Sequence, residues 1–222
     1  MPDTRVLIAT PCLDGNVSAH YAASLVRSQS LLQQRGVACE IRFEIGNSLI
    51  ADARNKLVSH FLAGPATDLV FIDADISWKA EDLLRLLAHP RAVVAGVYQR
   101  KSRAKLDFTV KFGPTITRDD DGLMAAERVG TGFLRLRRDA LQQLVAANPG
   151  LKLKNPQQPG DDHLYALFDT SIVDGQYVGE DFSFCDRWRA LGGQVFVDPA
   201  IALAHHGAAV YDEPLMKYLQ RN

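Results

Sequence analysis

The sequence predicts an α/β protein of three layers, with a mostly parallel central sheet covered by helices on both faces. Three observations carry that expectation. Short apolar runs recur and end in turn residues: RVLIAT (5–10), VACEIRFEI (37–45), DLVFI (68–72) and AVVAGVY (92–98). Segments with helical spacing of apolar residues lie between them. DLVFI is too short and too apolar for anything but a strand buried on both faces, as in a parallel sheet. Such alternation implies right-handed crossovers, and ligands then gather outside the carboxyl ends of the strands.

Taken in order, RVLIAT runs into the turn Pro-Cys-Leu-Asp-Gly, and Val17, Tyr21, Leu25 and Leu32 then mark one face of a helix closing at Gly36. A strand follows over 37–45. The next helix, about 49–62, turns Leu49, Ala53, Leu57 and Phe61 to the core, with Arg54 and Asn55 off that stripe and Gly64-Pro65 as its stop. DLVFI leads through DADIS to a helix over 79–88, with Glu81 and Asp82 early and Pro90 beyond its end. AVVAGVY is the fourth strand.

The stretch from 100 to 128, with TRDDDG beside the alternating DFTVKF, reads as a hairpin or loop insertion near the site. GTGFLRL (130–136) resumes a strand, and Asp139 is placed to cap a helix carrying Leu141, Leu144 and Val145. Proline, glycine and polar residues make 150–163 a flexible surface loop. In VGEDFSFCDRWRALGG (178–193), Phe182, Cys185, Trp188 and Leu191 recur every third residue before paired glycines, which puts Glu180 and Asp181 in a first helical turn. QVFVD is a last strand, and IALAHHG then brings His205 and His206 into a terminal loop or short strand.

At 222 residues, 47% of them hydrophobic, the chain suits a single domain over 1–222 with a sizeable core. A net charge of −1 excludes a global field for nucleic acid or an anionic membrane, so any phosphate must be held locally. Cys12, Cys39 and Cys185 are too few and too scattered for a disulfide framework or a thiolate metal site. With no signal sequence or transmembrane-length run, the expected place is the cytoplasm, with room for peripheral membrane contact.

Asp73 and Asp75 stand where DLVFI ends. Residues two apart on an extended segment share a side, so the two carboxylates can converge, and convergence calls for a cation or donors. A hard divalent ion meets that need and leaves positions for phosphate oxygens; a solvated strand end is the plain alternative. Glu180 and Asp181 are stabilised by free amides at a helix start without any catalytic reason, yet such a start also fixes a general base. His205 and His206 could equally serve backbone carbonyls. Gly130-Thr131-Gly132 matches neither a dinucleotide nor a phosphate loop and marks close backbone packing beside a ligand. Arg54, Arg100 and Lys101 can pair with phosphate or stand as ordinary surface cations. Tyr98 and Trp78 can border a sugar or base, or belong to the core.

Taken together, ATPCLDG, ADARNKLVSHFL, VFIDADISW, AGVYQRK, VGTGFLRLRRDAL, GEDFSFCDRWRALGG and HHG resemble, in order and over about 5–210, a nucleotide-sugar-dependent glycosyltransferase of the GT-A fold, in the broad family-2-like group. The resemblance implies that Thr10 and Pro11 border the nucleotide, that Arg54, Asn55, Asp73, Lys101 and Gly132 bind the donor, and that Asp73, Asp75 and His205 hold Mn²⁺ or Mg²⁺. It implies Asp181 as the base of an inverting transfer, with Glu180 orienting hydroxyls. The donor is then a UDP- or GDP-sugar and the acceptor a glycan, a lipid-linked sugar or a small polar molecule. A retaining transferase, a sugar nucleotidyltransferase and a non-catalytic carbohydrate-binding protein are the competing readings.

Overall fold

The computed structural model describes residues 3–102, 106–154 and 162–220. Its first half alternates as expected: β1 (Arg5–Cys12), α1 (Ala19–Gln34), β2 (Ala38–Ile45), α2 (Ile50–Ala63), β3 (Asp68–Ile72), the short β4 (Ile76–Ser77), α3 (Ala80–Ala88) and β5 (Val93–Ala95). The second half adds β6 (Val110–Lys111), β7 (Met124–Ala126), β8 (Arg128–Val129), β9 (Phe133–Arg137) and α4 (Arg138–Ala147). After these come β10 (Ser171–Val173), β11 (Gln176–Val178), α5 (Glu180–Ala190), β12 (Val195–Val197), β13 (Ala204–His206), β14 (Val210–Tyr211) and α6 (Leu215–Leu219).

The seven-stranded sheet has the order β2-β1-β3-β9-β5-β12-β7. β1, β2 and β3 are mutually parallel, as are β5 and β12; β9 is antiparallel to both β3 and β5, and β7 to β12. β1, β2, β3, β5 and β12 therefore point one way. The inverted β9 matters for the site, because it brings the entry of one strand beside the exit of another.

Side chains alternate across β1 and β3 and divide the core in two. Val6, Ile8, Val70 and Ile72 pack with Tyr21, Leu32, Leu83 and Leu86 of α1 and α3. Leu7, Ala9, Leu69 and Phe71 pack with Leu57, Phe61, Leu144, Phe184 and Trp188 of α2, α4 and α5. These are the three layers, and no described helix is long and apolar enough to cross a membrane.

Several expectations change. Within the described part of 100–128, β7 forms the last strand of the main sheet, and β6 pairs antiparallel with β8. Asp139 lies inside the first turn of α4, where its carboxylate accepts from the Ala140 amide; the cap position belongs to Arg137. The α2 stripe extends further than its aliphatic residues, since Arg54 and Asn55 are buried while Leu49 is exposed. On α5 the inward face is Ser183, Phe184, Cys185 and Trp188, because a spacing of three drifts around a helix of 3.6 residues per turn and leaves Leu191 exposed. Of the loop expected over 150–163, residues 155–161 lie outside the described residues; 149–151 form a 3-10 turn. The β10–β11 hairpin, which the sequence reading leaves unassigned, turns on Asp174-Gly175, both with positive φ (50° and 74°) as a two-residue hairpin turn requires.

Candidate active site

β3 ends at Ile72 and the chain turns at once: the Ile76 amide donates to the Asp73 carbonyl at 3.0 Å. That turn breaks the two-residue alternation, so the carboxylates of Asp73 and Asp75 face different cations instead of converging. Asp73 Oδ1 accepts from Arg54 Nη2 at 3.0 Å. Asp75 Oδ2 meets Lys101 Nζ at 2.5 Å, and its Oδ1 lies 3.5 Å from His205 Nε2. Burial pushes the Asp75 carboxyl up, but His205 and Lys101 outweigh it and hold the group down at about 2. Among the described residues, no group of three His, Cys, Asp or Glu side chains is gathered tightly enough to form a metal cage.

Arg54 is the junction of the site. Its guanidinium is only 4% exposed; Nη2 binds Asp73, Nε donates to Glu180 Oε1 at 3.3 Å, and the group lies 5.4 Å over the Phe71 ring. Burial draws its pKa down, yet the two carboxylates more than restore it and the net direction is upward. Arg54 Nη1 is buried with no hydrogen-bond partner among the described residues, a cost of about 1–3 kcal/mol of a kind that proteins retain where function needs the charge.

The helix start at α5 splits its two acids. Glu180 is taken by Arg54. Among the described residues Asp181 accepts only a local bond, from the Phe182 amide at 2.8 Å, and its carboxyl is pushed upward, by burial first and by the neighbouring Glu180 second. One acid is thus held as an ion pair while the other keeps an enhanced affinity for protons, the separation that acid–base chemistry uses.

The adjacent histidines are sorted by strand alternation on β13. His205 Nδ1 bonds the Gln99 carbonyl at 2.9 Å, and since a carbonyl only accepts, that nitrogen carries a proton and the bond aims Nε2 at Asp75. His206 points the other way, stacks on His20 at 4.3 Å and meets Ser77 Oγ at 2.7 Å. Of the two histidines, His205 is the one whose ring faces Asp75.

Because β9 runs against β3, its entry sits beside Asp73: the Asp73 amide donates to the Gly132 carbonyl at 3.1 Å, and the Gly132 amide donates to the Tyr98 hydroxyl at 3.1 Å. A Cβ on Gly132 would stand 2.5 Å from that hydroxyl and 2.8 Å from Asp73 Oδ2. The sequence signal was close packing, and the neighbours are now identified. Gly132→Ala is accordingly expected to destabilise the fold by about 1–3 kcal/mol through overpacking. Urea unfolding checks it, and an unchanged midpoint would mean Tyr98 yields freely.

Other candidates serve from behind. Thr10 is fully buried and spends its hydroxyl on Tyr21 Oη at 2.5 Å, leaving half-buried Pro11 as the residue of that pair nearer solvent. Asn55 clamps the backbone of Phe168, donating to its carbonyl and accepting from its amide, both at 2.8 Å. A carboxamide can do this because it carries a donor and an acceptor side by side. Trp78 and Tyr98 are buried, with Trp78 Nε1 bound to Ser28 Oγ at 2.8 Å and Tyr98 set edge-on to His205. Arg100 faces Asp107 at 3.4 Å on the surface. Sequence reasoning missed the carbonyl of Gln99 and the glycine of HHG, Gly207, against which the Lys101 stem packs. Neither has a spacing signal, since one acts through backbone and the other through the lack of a side chain.

No protein-family model matches the sequence. No curated protein matches it either. Among solved structures, A197 from STIV aligns over 95% of this chain and 94% of its own, with 15% identity and a TM-score of 0.55. GalNAc-T7, solved with UDP, GalNAc and Mn²⁺, aligns over 91% of this chain with 10% identity and a TM-score of 0.52, and the chain spans 43% of that structure. At such identities the likeness is one of fold, and with the mixed sheet and its flanking helices it gives this chain a GT-A fold.

Proposed function

We propose that this chain is a glycosyltransferase that moves a sugar from a UDP- or GDP-linked donor to an acceptor hydroxyl, with inversion at the anomeric carbon and Asp181 as the base. The observation that carries this reading is the Arg54 junction. One buried guanidinium draws together Asp73, at the end of β3, and Glu180, at the start of α5, residues far apart in sequence. Asp181 stays outside that ion pair, and burial first and Glu180 second raise its affinity for protons.

The residues fit distinct tasks. Cleavage of a sugar–phosphate bond leaves negative charge on the diphosphate, and Arg54 and Lys101 supply positive charge at the sheet edge where that group would lie. Pro11 and Gly132 border the donor, Asp73 is a donor and metal ligand, and Thr10 and Asn55 hold the walls. Asp181 takes the proton of the acceptor hydroxyl as it attacks, while Glu180, fixed by Arg54, orients hydroxyls. The acceptor is a glycan, a lipid-linked sugar or a small polar molecule.

A divalent cation suits part of this set. Asp75 Oδ1 and His205 Nε2 lie 3.5 Å apart, and the Nδ1 bond to Gln99 aims Nε2, which in the neutral ring carries the lone pair that ligates, toward Asp75. Asp73 joins them only by leaving Arg54. When bound, such an ion stabilises charge on the departing diphosphate, and the mixed carboxylate and imidazole donors favour Mn²⁺ over Mg²⁺.

The reading is tested by incubating the protein with UDP- and GDP-sugars, with and without Mn²⁺, and measuring release of nucleoside diphosphate. Metal-dependent release with at least one donor is expected. Absence of both donor binding and release across the panel would overturn it, and pyrophosphate release from a nucleoside triphosphate plus a sugar phosphate would point to a nucleotidyltransferase instead.

A further inference from the structure

We infer that Lys101 is a resident counter-cation of Asp75, one that competes with a divalent ion for that carboxylate and passes to the donor diphosphate when the ion arrives. This rests on the metal-binding reading above and adds a regulation of that site.

Three observations bring it about. First, Oδ2 of Asp75 is already bound by Lys101 Nζ at 2.5 Å, while Oδ1 lies 3.5 Å from His205 Nε2. An ion bridging Asp75 and His205 would sit beside an ammonium already bound to the same carboxylate, and two cations on one anion repel each other. Second, Lys101 has a shaped seat. A Cβ on Gly207 would stand 3.1 and 3.2 Å from its Cδ and Cε, so its stem occupies room that a side chain on Gly207 would crowd. The HHG segment therefore places both partners, His205 on one oxygen of Asp75 and, through Gly207, Lys101 on the other.

Third, Lys101 is free to leave. Its side chain is 36% exposed, and a flexible four-carbon stem lets the ammonium swing without disturbing the core. The backbone before it stays anchored, with Gln99 bridged to Phe108 and its carbonyl bound by His205. The ammonium needs a new anion if it departs, and a diphosphate at the sheet edge supplies one. Metal entry and donor binding are then coupled through a single side chain, each easing the other.

The test measures binding of Mn²⁺ alone, with no nucleotide, by the loss of its free-ion electron paramagnetic resonance signal. Lys101→Met keeps the stem and removes the charge, and it is expected to tighten Mn²⁺ binding by about tenfold or more. Asp75→Asn is expected to abolish that binding. Gly207→Ala retains the charge but crowds the stem, so it is expected to shift Mn²⁺ affinity in the same direction by a smaller factor, which guards against an artefact of one variant. With Mn²⁺ saturating, UDP binding by Lys101→Met is expected to weaken about tenfold, since the ammonium can no longer pass to the diphosphate. Unchanged or weaker Mn²⁺ binding by Lys101→Met, beside loss in Asp75→Asn, overturns the competition and leaves the metal reading standing. No Mn²⁺ binding by the wild type or by either Lys101→Met or Gly207→Ala overturns the metal reading and the handover with it.

Discussion

Asp181→Asn is expected to lower kcat by about 10²–10⁴-fold while donor affinity stays within about twofold of wild type, since the amide fills the same volume and cannot accept the proton. The pH dependence sharpens the assignment. Burial and Glu180 raise the Asp181 pKa above the ordinary carboxylate value, so the active, ionised form is lost as pH falls through a point above 3.8. Wild-type kcat should therefore show an acid limb above that value, and the residual activity of the variant should lack it. Donor titration by calorimetry separates binding from chemistry. Loss of donor binding with kcat retained at saturation would move Asp181 from base to binding residue, and an unchanged limb would assign the titration to another group.

Arg54→Met should be the most destabilising single change at the site, costing about 3–5 kcal/mol. The guanidinium is 4% exposed and serves Asp73 and Glu180, which are 27% and 15% exposed, so its removal strands two largely buried carboxylates without a cation. For a chain of this size the loss corresponds to a fall in Tm of about 10 °C. Adding Glu180→Gln should recover part of it by deleting one stranded charge. A loss below about 1 kcal/mol in urea unfolding would show that solvent already screens the carboxylates and that Arg54 does not organise the site.

Legibility differed from element to element for definite reasons. Strands buried on both faces, such as DLVFI, are readable because nothing else of that length is so apolar. Antiparallel β9 looks in sequence like any other buried strand, and its direction depends on which neighbours it pairs with. The same holds for β7, whose three residues carry no period long enough to assign. Arg54 and Asn55 appeared to lie off the helical stripe because aliphatic spacing identifies one face only. Their burial depends on partners distant in sequence, Asp73 and Glu180 for one and Phe168 for the other.

By itself, the sequence determined the chemistry available: an acidic pair after a buried strand, an acidic pair opening a late helix, two histidines before a glycine, and basic residues between them. It also placed the first of these pairs at the carboxyl edge of an α/β sheet, because strand-to-helix connections lie there; that the others belong beside it was implied only by the family resemblance. Only the tertiary structure decided how the charges pair. A turn at Asp73 sends Asp73 to Arg54 and Asp75 to Lys101, alternation on β13 gives His205 rather than His206 to Asp75, and Arg54 claims Glu180 but not Asp181. Pairing is set by distances of a few ångströms between segments distant in sequence, and residue spacing along a chain does not encode such distances.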